Sequence, residues 1–67
     1  MDIILNNRKE TIEGGPMTVN ELIKARNFTF KMLVTKVNNE LVRKEERDQV
    51  MVNEGDKVDI LHLISGG

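Results

Sequence analysis

One strong helix signal lies between two groups of short β-prone segments. Thr18 is a favourable N-cap residue, and Glu21 follows three positions later, which completes the pattern of a capping box. Val19, Leu22 and Ile23 recur at helical spacing and give this segment a single apolar face. Because that face has to be buried, the sequence predicts an α+β fold in which one main helix packs on a sheet.

The predicted strands are short and are separated by residues that favour turns. Asparagine pairs occupy positions 6–7 and 38–39, and asparagine readily takes the left-handed backbone conformation that tight turns need. Asn27 is expected to end the helix in the same conformation. Strands are predicted over residues 3–5, 9–13, 32–37, 40–42 and 57–64, and the core pattern resumes at Val50 and Val52.

The composition excludes several classes of function. A chain of 67 residues has room for one domain with one core, and without cysteine it has neither a disulfide nor a thiolate metal site. His62 and Ser65 are its only histidine and serine, and their spacing near the chain end gives no preorganised catalytic triad. We therefore expect a protein that is not an enzyme and holds no metal and no cofactor.

Charge and hydropathy limit the partners in the same way. The net charge is −1 and no basic block is present, so a nucleic-acid partner is not expected. No apolar run approaches the length of a membrane span, and the first residues lack the pattern of a signal peptide. The sequence thus predicts a cytoplasmic protein without a membrane partner, monomeric when free.

The C-terminal residues Ser65, Gly66 and Gly67 follow directly after an apolar strand. Glycine has no Cβ, so this ending allows the closest approach of a backbone to a partner's active site. A carboxylate becomes a good electrophile only after activation in a site that excludes water. Because the chain has no thiol, the carboxylate of Gly67 is the predicted reactive group. The alternative is an inert chain end.

The last predicted strand is apolar on both faces in its second half. This pattern suits either a central strand that is covered on both sides or an exposed patch that docks a partner. The candidates for a docking patch are Leu61, Leu63, Ile64 and Val42, and the alternative is that they are core residues. His62 is interpreted as packed or exposed, not as a metal ligand.

Six parts of the sequence follow one another in a known order: the turn at Gly15, the helix positions 18–19 and 22–23, and residues 37–42, 54–58 and 64–67. Together they resemble the ThiS family of sulfur carriers. The resemblance runs in order along the whole chain, and it implies a ubiquitin-like β-grasp fold with a mixed sheet of four to five strands packed on one main helix. It also implies a domain over residues 1–64 and a flexible tail over residues 65–67.

In terms of function, the resemblance implies a carrier acted on by other enzymes. An E1-like (ThiF-like) adenylating enzyme would activate Gly67 with ATP, and a persulfide donor would convert it to a thiocarboxylate. A ThiG-like thiazole synthase would take the sulfur for the thiazole ring of thiamin. Three alternatives remain: a MoaD-like carrier for molybdopterin synthesis, a ubiquitin-like protein modifier, and a β-grasp interaction domain with an inert tail. The short chain and the absence of proline before Gly66 favour the thiamin branch over the molybdopterin branch.

The chain departs from the family pattern in the charged segment 43–49. The family commonly has a Pro-Arg pair and a bulky aromatic residue in this loop, and the corresponding places fall near Arg43, Lys44 and Arg47, without the aromatic. The segment has mixed charges and no apolar stripe, so we expect a solvated loop or a single helical turn. The partner surface is expected to differ from that of the family here.

Overall fold

A computed structural model of the protein describes residues 1–28 and 32–63. Its elements alternate short strands with one helix, as the sequence predicts. In chain order they are β1 (Asp2–Leu5), β2 (Arg8–Thr11), β3 (Met17–Thr18), α1 (Val19–Ala25), β4 (Leu33–Val37), β5 (Glu40–Val42), a 3₁₀ turn (Lys44–Glu46), β6 (Met51–Val52) and β7 (Lys57–His62).

Five of the strands form a mixed sheet in the order β2-β1-β7-β4-β5. Strands β1 and β7 run parallel, and the other neighbours in this sheet are antiparallel. The two-residue strands β3 and β6 pair separately beside the helix and were not predicted. The predicted mixed sheet of four to five strands with one main helix is confirmed, and the sheet has five.

The bounds of the strands differ slightly from the prediction. The second strand was predicted to reach residue 13 but ends at Thr11, which pairs with Asp2, the first residue of β1. Ile12 is nevertheless buried, as expected for a residue that points inward. The last strand ends at His62 within the described residues, and the predicted end at residue 64 lies outside them.

Both hairpins turn on their asparagine pairs. The backbone φ angles are 51° and 67° at Asn6 and Asn7, and 51° and 69° at Asn38 and Asn39. Positive φ at both central residues is the requirement of a type I′ turn, whose twist matches that of the flanking strands. The positions of the two hairpins are therefore encoded locally, and the predicted turns are confirmed.

The helix has the predicted signals at both ends. Thr18 Oγ1 accepts a hydrogen bond from the Glu21 N–H at 3.1 Å, and Glu21 Oε1 accepts one from the Thr18 N–H at 2.8 Å. At the other end Asn27 has φ 56°, and the Phe28 N–H donates to the Ile23 carbonyl at 3.0 Å. These two features are typical of a Schellman-type C-cap, which satisfies carbonyls that the last turn leaves open.

The core lies between helix α1 and the inner face of the sheet. The helix contributes Val19 and Leu22, both 0% exposed, so the predicted apolar face is buried, with Ile23 half-buried beside it. Among the described residues, the buried apolar side chains are Ile3, Leu5, Ile12, Val19, Leu22, Val42, Val52, Val58 and Ile60.

Replacement of Thr18 by alanine tests the helix cap. The Thr18→Ala variant should lower the free energy of unfolding by about 1 kcal/mol, because the Glu21 N–H loses its acceptor. Thr11→Ala is the matched control, since its exposed hydroxyl bonds only Asp2, and it should change stability by less than about 0.5 kcal/mol. Urea unfolding of both variants measures the difference, and equal losses would contradict a specific role of the cap.

Candidate functional site

Strand β7 is the middle strand of the sheet and the last described element before the C-terminal residues. Along one side it pairs with β4 over its whole length, from Val58 opposite Val37 to His62 opposite Leu33. Along the other side β1 pairs only with its first residues, at Lys57 and Val58. The end of β7 that leads to the predicted reactive group is therefore supported mainly by β4.

Beyond the end of β1, the side chain of Asn6 takes the place of a neighbouring strand. Its Nδ2 donates to the Ile60 carbonyl at 3.0 Å, and its Oδ1 accepts from the Ile60 N–H at 2.8 Å. The Asn6 N–H donates to the Val58 carbonyl at 2.9 Å and continues the ladder. One side-chain amide thus satisfies both backbone groups of Ile60, which is 2% exposed.

Four of the predicted site residues, Ile64, Ser65, Gly66 and Gly67, lie outside the described residues. Their predicted roles, and the predicted boundary between domain and tail, therefore stay predictions.

Leu61 and Leu63 are not core residues. Their side chains are 48% and 47% exposed, although Val58 and Ile60 of the same strand are buried. Alternation along the strand puts Leu61 on the outer face of the sheet, opposite the face that packs on the helix. Their exposure favours the docking-patch interpretation, and the docking itself stays a prediction.

The prediction that Val42 belongs to this patch is wrong. Val42 is 5% exposed and lies opposite Thr35, which in turn lies opposite Ile60, so the three form one row on the inner face. Its neighbour Leu41 takes the outer position and is 61% exposed. A shift of one residue along a strand moves a side chain to the other face of the sheet, and only the register shows which residue faces outward.

The outer face carries a group of apolar side chains near the end of β7, which we call the outer patch. Val34 lies directly opposite Leu61, and the Leu63 N–H donates to the Met32 carbonyl at 3.0 Å, so these residues adjoin one another across β4 and β7. Lys36 and Asp59 form the next cross-strand pair and give the patch a charged border. The outer patch comprises Met32, Val34, Leu61 and Leu63, and Leu41 of β5 lies at its border, opposite Lys36.

Sequence reasoning missed the side chain of Arg47. The predicted single helical turn is confirmed as the 3₁₀ turn Lys44–Glu46, and most of the charged segment is exposed, as expected. Arg47 is half-buried, however, and its guanidinium reaches the Leu33 carbonyl at 2.7 Å and Thr35 Oγ1 at 3.2 Å. Nothing in a run of mixed charges distinguishes this arginine from its exposed neighbours.

Neither a metal site nor a membrane helix is found in the part of the chain that the structure describes. Within residues 1–28 and 32–63, no three histidine, cysteine, aspartate or glutamate side chains are grouped so that they could hold a metal ion. No helix in the same ranges is long and apolar enough to cross a membrane. An open groove beside Glu54 and Gly55 lies at the opposite end of β7 from the outer patch.

The family model of the ThiS family matches residues 3–67 of the chain. This protein belongs to the ThiS family. The match extends from β1 to the final glycine, so the resemblance of the turns, the helix start and the Gly-Gly ending is confirmed as family membership. A relative from Trieres chinensis, the uncharacterized protein ycf40, is 25% identical over 61 residues, which cover 91% of this chain and 84% of that protein.

Two solved structures of ThiS-type proteins have the same fold as this ThiS-family chain. The crystal structure of the thiamine biosynthesis protein ThiS from Geobacter metallireducens has a TM-score of 0.88 and 28% sequence identity, and the similarity covers all of both chains. The solution structure of a thiamine biosynthesis protein from the same organism has a TM-score of 0.82 and 28% identity, over all of this chain and 88% of that one. The predicted β-grasp fold is confirmed.

The replacement of Asn6 by aspartate tests the support of β7. Aspartate is similar in shape and also tolerates positive φ, but its carboxylate does not donate to the Ile60 carbonyl. We expect Asn6→Asp to lower the free energy of unfolding by about 1–3 kcal/mol. Asn7→Asp, an exposed neighbour in the same turn, is the control and should have a much smaller effect in chemical denaturation at neutral pH. If both variants were equally stable, the amide of Asn6 would have no special role.

Proposed function

We propose that this ThiS-family protein is a sulfur carrier whose working group is the C-terminal carboxylate of Gly67. In this proposal the carboxylate is adenylated and then converted to a thiocarboxylate, which donates its sulfur for the thiazole ring of thiamin. The observation that carries the proposal is the family match over residues 3–67, which includes the Ser65-Gly66-Gly67 ending. The full-length similarity to thiamine biosynthesis proteins of Geobacter metallireducens supports the same pathway.

The first step makes the carboxylate reactive. A Gly67 carboxylate oxygen attacks the α-phosphorus of ATP, the bond to the β-phosphate breaks, and pyrophosphate leaves with its electron pair. The acyl adenylate that results has AMP as a good leaving group. An E1-like adenylating enzyme supplies the ATP site and excludes water, because water would hydrolyse the acyl adenylate back to the carboxylate.

The second step brings in sulfur. The terminal sulfur of a persulfide donor attacks the acyl carbon of Gly67, AMP leaves with the electron pair, and an acyl disulfide forms. A thiol then reduces this disulfide: its sulfur bonds to the donor sulfur, the old S–S bond breaks, and the electron pair stays on the thiocarboxylate. The thiol and the donor end as a disulfide. A thiazole synthase would then accept the thiocarboxylate sulfur.

The composition of the chain fits a protein that carries the sulfur while partner enzymes supply the catalytic groups. It has no cysteine, so no side-chain thiol competes for the sulfur, and in this proposal the chain end is the carrying group. Gly66 and Gly67 lack side chains, which suits the narrow channel that a water-free site requires. The outer patch lies beside the last described residues and offers exposed apolar area where an activating enzyme would hold the carrier.

The absence of cysteine makes a direct test possible. The full-length protein is isolated from its native host grown without thiamin, alkylated with iodoacetamide at neutral pH under denaturing conditions, and measured as an intact chain. Because no cysteine is present, a thiocarboxylate should react with the reagent much faster than any other group of the chain. We expect a labelled fraction, with fragment masses that place the label on Gly67. A variant without Gly67 serves as the control and should take up no label.

The same measurement separates the alternatives. The proposal would be overturned by a chain that supports thiazole formation in these cells while its C-terminus never takes up label. Adducts that join Gly67 to lysines of other proteins, without label, would favour a protein modifier instead. Methionine oxidation adds mass without adding the alkyl group, and slow alkylation of any of the four methionine thioethers is distinguished from label on Gly67 by the fragment masses.

Variants of the outer patch test the docking role. Leu61→Asn removes an exposed apolar side chain and should raise the KM of the carrier for its activating enzyme about tenfold, since a buried leucine contributes about 1.5–3 kcal/mol. Its stability should change by less than about 0.5 kcal/mol. Val42→Ala is the control, which should destabilise the core and leave this KM unchanged at a temperature where the variant is folded. Pyrophosphate release and urea unfolding measure the two quantities, and an unchanged KM for Leu61→Asn would contradict docking through this patch.

A further inference from the structure

Arg47 connects the charged segment 43–49 to the edge of strand β4. Its Nη2 donates to the Leu33 carbonyl at 2.7 Å and its Nε donates to Thr35 Oγ1 at 3.2 Å. The two acceptors are on alternate residues of one strand, so the planar guanidinium spans them with two donors in fixed relative positions. Among the described residues, no other arginine or lysine side chain bonds a residue of β4.

The guanidinium lies along the edge of β4 beyond the end of β5, where no strand of the described residues lies beside β4 on that side. Within the described residues, β5 pairs with β4 from Val37 to Thr35 and not as far as Leu33. Thr35 is 0% exposed, and its hydroxyl donates to the Val42 carbonyl at 2.7 Å while accepting from Arg47. Arg47 therefore completes the hydrogen bonding of β4 just beyond the end of β5.

The backbone around Arg47 is itself fixed to the start of helix α1. The Arg47 carbonyl accepts from the Asn20 N–H at 3.1 Å, and the Val50 carbonyl accepts from the Val19 N–H at 3.0 Å. Asp48 Oδ1 accepts from Asn20 Nδ2 at 2.6 Å. The backbone of Arg47 is thus held by helix α1 while its guanidinium bonds strand β4. The side chain therefore joins the helix to the sheet across the segment 43–49, most of which is exposed.

The strand end that Arg47 holds is the one that pairs with the end of β7. Leu33 lies opposite His62, and the neighbouring Met32 carbonyl accepts from the Leu63 N–H at 3.0 Å. In sequence, the C-terminal residues 64–67 follow directly. A contact that keeps Leu33 in place therefore also keeps in place the last described residues before the tail.

We propose that Arg47 is a positioning residue for the end of β7: its guanidinium fixes the first residues of β4 against Leu63, the last described residue before the C-terminal segment. Without it, the pairing of Leu33 and Met32 with the end of β7 opens more often, while the rest of the sheet stays closed. The consequence for carrier activity, but not the positioning itself, rests on the proposed function.

Amide hydrogen exchange tests the positioning on the free protein. In Arg47→Gln the Leu63 amide should exchange about tenfold faster, because opening of one strand end is a local event. The Ile60 amide, which is held by Asn6 on the other side of β7, should keep its rate. Arg43→Gln removes the same charge from an exposed neighbour and should change neither rate.

Arg47→Lys is the milder substitution because it keeps the positive charge. An ammonium lacks the two-donor fork of a guanidinium, however, so the exchange rate of the Leu63 amide should lie between those of the wild type and Arg47→Gln. An unchanged Leu63 rate in both Arg47 variants would overturn the proposal. So would an equal acceleration at Leu63 and Ile60, since that would show only a loss of global stability.

Activation kinetics then test the consequence. With the adenylating enzyme, Arg47→Gln should raise the KM of the carrier several-fold and leave kcat at saturation unchanged, because the tail must be ordered before it enters the active site. Arg47→Lys should restore part of the KM, and Arg8→Gln, which removes an exposed charge from β2 on the opposite edge of the sheet, should match the wild type. An unchanged KM with faster Leu63 exchange would overturn the link from positioning to activity. If the wild type itself were never adenylated, the proposed function would fail while the exchange result stood.

Discussion

The pairing of β7 between β1 and β4 is the constraint on which the rest of this small fold depends. It joins the first strand of the chain to the last, and it brings the second hairpin onto the same sheet. Its inward residues, Val58 and Ile60, are among the most buried in the core. A chain of 67 residues without cysteine has no disulfide to replace these contacts, so loss of this central strand would divide the core that the described residues form.

The ends of this pairing are completed by side chains where strands stop. The side chain of Asn6 hydrogen-bonds the backbone of Ile60 beyond the end of β1, and that of Arg47 hydrogen-bonds the Leu33 carbonyl beyond the end of β5. Both lie near the end of β7 from which the C-terminal residues continue. In the proposed function the chain end enters a partner's active site, and disorder at the end of β7 would add to the entropy that such binding has to overcome. We propose that these two polar contacts hold the end of β7 in place and that the outer patch beside them docks the activating enzyme.

Local signals were sufficient for much of the fold and for none of the long-range contacts. The asparagine pairs and the capping box at Thr18 depend on residues within four positions, and each was predictable from sequence. The choice between Leu41 and Val42 depends on cross-strand register, and the short run does not show which residue faces the helix. Asn6 was interpreted as a turn residue alone, and its contact with Ile60 spans 54 positions of the chain. The Ser65-Gly66-Gly67 ending could be recognised as a family pattern, and the chemistry proposed for it requires partner enzymes whose sites this chain does not encode.

The most direct test of the account is transfer of labelled sulfur through Gly67 in a reconstituted reaction. The full-length chain is incubated with ATP, an adenylating enzyme of this family's pathway and a persulfide that carries a sulfur isotope, then isolated and given to a thiazole synthase. If Gly67 carries the sulfur, the isotope should appear first at the C-terminus and then in the thiazole, with no more than one sulfur delivered per chain. Thiazole that forms without the isotope, or an isolated carrier that never acquires it while the enzymes remain active, would contradict it.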